Sequence, residues 1–111
     1  MKLNEKKINE FFTIINEKKI KSVFQPIVSL KTGEIVSFEA LSRITLDSCT
    51  INIEELFKIA HTIGHSWKLD QLCRKCAIKA SQQMPSDKKL FINVDANILL
   101  DQDFVQGFTK K

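Results

Sequence analysis

Tyrosine is absent from this chain, tryptophan occurs once, and no arginine-rich run is present. These absences argue against a nucleic-acid reader, which pairs a basic stripe with stacking aromatics, and no DNA or RNA partner is expected. Nowhere do apolar residues continue for the ~20 positions needed to span a bilayer, so no membrane segment is expected. The polar start Lys2, Asn4, Glu5, Lys6, Lys7 does not read as a signal peptide. With only three glycines and two prolines, there is no low-complexity linker, and nothing repeats internally. The three cysteines, Cys49, Cys73 and Cys76, are an odd number without an export signal, which fits a reduced, cytoplasmic setting.

What is present is an ordinary globular mixture, 43% hydrophobic and 27% charged, in 111 residues. That is one small domain at most, large enough for a core. The net charge of +4 arises from 17 basic and 13 acidic residues. Lysines gather at Lys6-Lys7, Lys18-Lys19-Lys21, Lys88-Lys89 and Lys110-Lys111, near the ends of the expected elements, and read as solvated surface.

The pattern begins with a helix capped by Asn4, with Ile8, Phe11, Phe12 and Ile15 at the three-and-four spacing of one apolar stripe. It packs on its own domain, occupying residues 1–20, with the remainder of the domain at 21–111. A hairpin follows: Val23 to Leu30 outward, a turn at Lys31-Thr32-Gly33, and Glu34 to Arg43 in return. On the second strand Ile35, Ser37, Glu39, Leu41 and Arg43 share one parity, and Val36, Phe38, Ala40 and Ser42 the other. Both parities carry apolar residues, so the strand is expected to be covered on both sides, as in a barrel or a layered sheet.

Asn52 with Glu55 opens a second helix, striped by Leu56, Ile59, Ala60 and Ile63 and ended by Gly64. Ser66 is a candidate cap for a third, with Leu69, Cys73, Cys76, Ala77 and Ala80 on one face, broken at Pro85-Ser86-Asp87. Lys89 to Val94 reads as a short strand and Ala96 to Phe104 as the start of another helix. Strands alternating with helices indicate the α/β class.

Several of these residues form an ordered series: Phe24-Gln25-Pro26-Ile27-Val28, the turn, Ile35 through Glu39-Ala40-Leu41-Ser42-Arg43, and later Leu90-Phe91-Ile92-Asn93-Val94. The series resembles the opening of the EAL domain, the bacterial module that hydrolyses cyclic di-GMP. The resemblance implies a (β/α)8 barrel of TIM type whose first strand runs against the others. A whole barrel needs about 200 residues or more, so this chain is expected to supply a partial barrel: the first three strands and their helices behind an N-terminal helix.

The resemblance also assigns roles. Glu39 matches the glutamate that binds a metal ion, and Asn93 the asparagine that serves as a further ligand. Arg43 matches the arginine on the substrate phosphate, where its forked donors suit paired oxygens. Gln25 matches the glutamine near the nucleotide, and Leu41 lines the same pocket. The family's cofactor is Mg2+ or Mn2+, ions that prefer oxygen ligands, and its partner is cyclic di-GMP. Asp95-Ala96 stands where the family commonly has Ser-Pro, and Asp95 reads as a strand-end or helix-capping residue.

The family's remaining ligands, including an Asp-Asp pair, fall after Lys111, and no Asp-Asp dipeptide occurs in the chain. Two ligands cannot hold a two-metal centre, so no catalytic set is complete and the chain alone is expected to be inactive as a phosphodiesterase. A first alternative is a non-catalytic interaction or cyclic di-GMP-binding module that self-associates, as a homodimer, through the strand edge of an incomplete barrel. A second is a small zinc-binding domain using His61, His65, Cys73 and Cys76. Against zinc, the two cysteines lie on the apolar stripe, where cysteine packs as a small hydrophobe.

Overall fold

The computed structural model describes residues 2–84 and 87–92. Its elements run α1 (Glu5–Asn16), β1 (Ile20–Val28), β2 (Ile35–Ile44), α2 (Ile53–Thr62), α3 (Ser66–Ser81) and β3 (Lys89–Ile92). The expected helix at 96–104 and the break at Pro85-Ser86 lie outside the described residues, as do the last two residues of the expected third strand.

Local chemistry sets both ends of the first two helices. The Asn4 side chain accepts from the Lys7 backbone N–H at 2.9 Å, and Asn52 does the same for Glu55 at 2.8 Å. Each helix then ends in a Schellman motif. In α2 the left-handed residue is Gly64 (φ 75°), and His65 N donates to Ala60 O at 2.7 Å. In α1 it is Lys18 (φ 54°), and Lys19 N donates to Ile14 O at 2.9 Å. A lysine here carries a backbone strain that glycine avoids.

The hairpin closes over residues 29–34. The Ser29 hydroxyl accepts from Lys31 N and Thr32 N, Gly33 turns at φ 73°, and Ser29 N donates to Glu34 O at 2.9 Å. β1 starts three residues earlier than expected, at Ile20, and Leu30 lies in the loop, fully exposed. The three strands form one sheet in the order β1-β2-β3. β1 is antiparallel to β2, while β2 and β3 are parallel, so the first strand does run against the others. Pro26 is placed on β1, an edge strand among the described residues, where a missing N–H is tolerated.

The core is a cluster at the helical end of the molecule. Phe11 and Ile14 of α1, Leu56, Ile59 and Ala60 of α2, and Leu69 of α3 are fully buried there, joined by Ile20 and Ile51. The stripe on α1 is therefore centred on Phe11 and Ile14. Phe12 sits at its flank, partly exposed, with its ring edge-on to Phe11 at 5.4 Å.

One expectation for α3 changes. His65, not Ser66, precedes the helix as its cap residue, and it makes no side-chain capping bond. Ser66 is instead drawn inside and buried. Asp70 is buried too, held by Arg74 one turn on, and that guanidinium lies 5.3 Å from the Trp67 ring centroid.

α3 covers one face of the sheet. The Cys76 thiol donates to Ile20 O at 3.6 Å, and Ala40 and Ala77 are buried. The other face of this open sheet is uncovered among the described residues, with Ile27 40% and Phe91 52% exposed. The expectation of cover on both sides of β2 holds for one side here, because three strands do not close on themselves.

Candidate functional site

Alternation along β2 sends Glu39, Leu41 and Arg43 to a single face of the sheet, the one α3 leaves open. The hairpin register then places Gln25 directly across from Glu39, Val23 across from Leu41, and Lys21 across from Arg43. Parallel pairing brings Phe91 beside Glu39 on the other side. Four of the five residues singled out in the sequence thus share one surface. The fifth, Asn93, lies outside the described residues.

The spacing has chemical meaning. Direct cross-strand neighbours hold their Cβ atoms about 5 Å apart, so the Gln25 amide and the Glu39 carboxylate can address one group. Glu39 and Arg43 are separated by four residues, roughly 13 Å along an extended strand. A carboxylate at one end and a cation at the other suit an elongated ligand, bound at two points.

Arg43 is exposed, and its Nη1 donates to Ser42 O at 2.9 Å, a bond on its own strand that leaves the rest of the fork available. Gln25 is exposed, while Glu39 and Leu41 are half-buried. Glu39 already takes part in an interaction within the protein. Its neighbour Phe91 supplies an apolar surface at the centre of the strip. Sequence reasoning did not single out Phe91, although the alternation of Lys89 to Ile92 carried the signal.

Leu41 and Arg43 also border a crevice of about 210 Å³ between β2, α2 and α3. Asp70 and Cys73 stand on its far wall. Asp70 is committed to Arg74, and burial pushes the Cys73 thiol up to about 11. A thiol so held keeps its proton at neutral pH, so the crevice presents no thiolate nucleophile.

The structure disperses the residues of the zinc alternative. His65 stacks on Phe11 at 6.2 Å and meets the edge of Phe12 at 5.6 Å. His61 is exposed near the end of α2, and Cys76 turns its thiol to Ile20 O. Among the described residues, no three of His, Cys, Asp and Glu come together to hold a metal ion. For a pair of divalent cations at the open face, Glu39 is the single carboxylate candidate among the described residues. The described residues by themselves do not fit that pair. No helix among them is long and apolar enough to cross a membrane.

The model of the EAL domain family matches residues 8–111. Among solved structures, the chain is similar to the EAL domain of FimX from Pseudomonas aeruginosa, solved bound to c-di-GMP. That match has 20% identity and a TM-score of 0.71, over 92% of this chain and 42% of the other. It is also similar to the S helix-GGDEF-EAL portion of LapD from Vibrio cholerae, in its apo form. Here identity is 14% and the TM-score 0.74, over 99% of this chain and 27% of the other. A second FimX EAL domain structure aligns at 19% identity and a TM-score of 0.70, over 96% and 44%. The chain therefore spans less than half the length of each of these relatives. A comparison with curated proteins finds no match.

Proposed function

Because the chain belongs to the EAL domain family, we propose that its open sheet face is the cyclic di-GMP-positioning strip of such a domain. Arg43 takes a phosphate through its free donors, Gln25 approaches the nucleotide, and Leu41 lines the pocket between them. The observation that carries this reading is the ladder: Gln25, Glu39, Leu41 and Arg43 lie on one uncovered face, in register across two strands. Glu39 and Asn93 are this stretch's contribution to a divalent cation site that the described residues do not complete. What this stretch offers the dinucleotide is binding.

The test is calorimetric titration of cyclic di-GMP into the purified chain with manganese present, beside Arg43→Ala. Binding by the wild type that is lost in the variant supports the strip. Equal binding by both removes Arg43 from the phosphate.

A second reading is supported by a different observation. Ile27, Val28, Ile35, Val36 and Phe91 are all 40% or more exposed along the same sheet, more apolar surface than a strand usually leaves to water. A non-catalytic module that pairs with its own copy covers it. Absence of any nucleotide binding by folded protein that sediments as a single dimeric species favours this module over the strip.

A further inference from the structure

On the opposite side of the molecule from the open sheet face, α3 carries a second surface. Lys68, Leu72, Lys75 and Lys79 follow one another at spacings of four, three and four residues, which puts them on one stripe of the helix. The end of α1 and its turn form the facing wall, through Ile15 and Lys18. Between them runs a groove of about 590 Å³. Leu72 and Cys76 are half-buried in its floor, and all four lysines are exposed.

The groove is lined by four cations and by no carboxylate. None of the four lysines takes part in an ion pair among the described residues, although Lys7, Lys58 and Lys88 elsewhere do. Lys18 stands at the left-handed turn position, φ 54°, where glycine is less strained. Cations around an apolar floor call for a ligand with the reverse arrangement: carboxylates at the margins and an apolar stripe in the middle.

We infer that this groove docks an acidic amphipathic helix of a partner protein, with apolar side chains on Leu72 and Ile15 and carboxylates on Lys18, Lys68, Lys75 and Lys79. A concave site with an apolar floor fits a rod better than a flat lipid surface. It holds no aromatic side chain or arginine with which to stack a base. This surface is independent of the strip built on Arg43.

The probe is a fluorescein-labelled 18-residue synthetic helix with leucines on one face and glutamates flanking them, titrated with the full chain and read by anisotropy. The triple variant Lys68→Glu/Lys75→Glu/Lys79→Glu is expected to weaken binding by about tenfold or more, and added salt to weaken the wild type. A control with equal charge change, Lys2→Glu/Lys6→Glu/Lys31→Glu, is expected to stay within about twofold. If circular dichroism shows the glutamate triple to be unfolded, the milder Lys→Gln triple replaces it. Equal losses in both charge variants overturn the docking site, since net charge then explains the binding. So does no peptide binding, and so does binding of phosphatidylserine vesicles or single-stranded DNA in place of the peptide. Arg43→Ala leaves peptide binding unchanged, so this inference and the nucleotide strip fail separately.

Discussion

Phe11 and Phe91 are the same residue type in two very different settings. Phe11 is fully buried where α1, α2 and α3 meet, with Ile14, Leu56, Ile59 and Leu69 around it. Phe91 is 52% exposed, in the middle of the open sheet face beside Glu39. Apolar character alone did not decide which was covered; the availability of a facing element did. The helical cluster holds the fold together, while the open face keeps Gln25 and Arg43 within reach of a ligand. A side chain such as Phe91 is on that face to be used by something other than the described core.

The sharpest way to break this contrast is to empty the cluster. Leu56→Ala should cost about 2–5 kcal/mol, because the residue is fully buried and its neighbours span three helices. Denaturant unfolding followed by circular dichroism measures it, and a loss below about 1 kcal/mol would move the stabilising core elsewhere.

A smaller effect is expected where α3 meets the sheet. The Cys73 thiol, with an ordinary value of 9.0, is raised to about 11 by burial. The folded chain keeps this proton after the unfolded chain has lost it. Stability from this group is thus complete below about pH 9 and is lost as pH rises toward 11, by ~2–3 kcal/mol in all. Urea unfolding at pH 8 and pH 10.5 should show a steeper alkaline loss in the wild type than in Cys73→Ala. Parallel losses would mean the thiol is not sealed between α3 and the sheet.

The smallest change belongs to the open side. Phe91→Ser should cost only about 1 kcal/mol, since half of its side chain is already exposed. A loss of several times that size, rising with protein concentration, would show that a second copy covers the face in solution.

Much of this arrangement was legible because it is local. The caps at Asn4 and Asn52, the stop at Gly64 and the turn at Gly33 each depend on residues within a few positions, and all were readable. So was the shared parity of Glu39, Leu41 and Arg43, which strand geometry alone dictates. What eluded the sequence depends on neighbours far along the chain. Asp70 drew no reading from the sequence, and its burial comes with the crevice that β2 and α2 form against α3. Ser66 looks like a cap until the packing of α2 on α3 draws it inward and leaves His65 before the helix. That Gln25 faces Glu39, and not a neighbour two residues away, is set by the loop at 29–34 and the register it fixes. The lysines of α3 are dispersed in sequence, so their alignment needed the helix to be traced out and α1 laid beside it.

The parallel pairing of β3 has a consequence for the order in which the site comes together and comes apart. β1 and β2 join across a short loop, whereas β3 reaches β2 only after the chain has passed through α2 and α3. The hairpin that carries Gln25, Glu39, Leu41 and Arg43 is therefore the early, local partner, and the strand bearing Phe91 is the late, non-local one. A loss of β3 from the sheet would leave Glu39 with one flank bare. The third side of the proposed strip thus depends on that crossover, although none of the crossover's core residues lies on the strip itself.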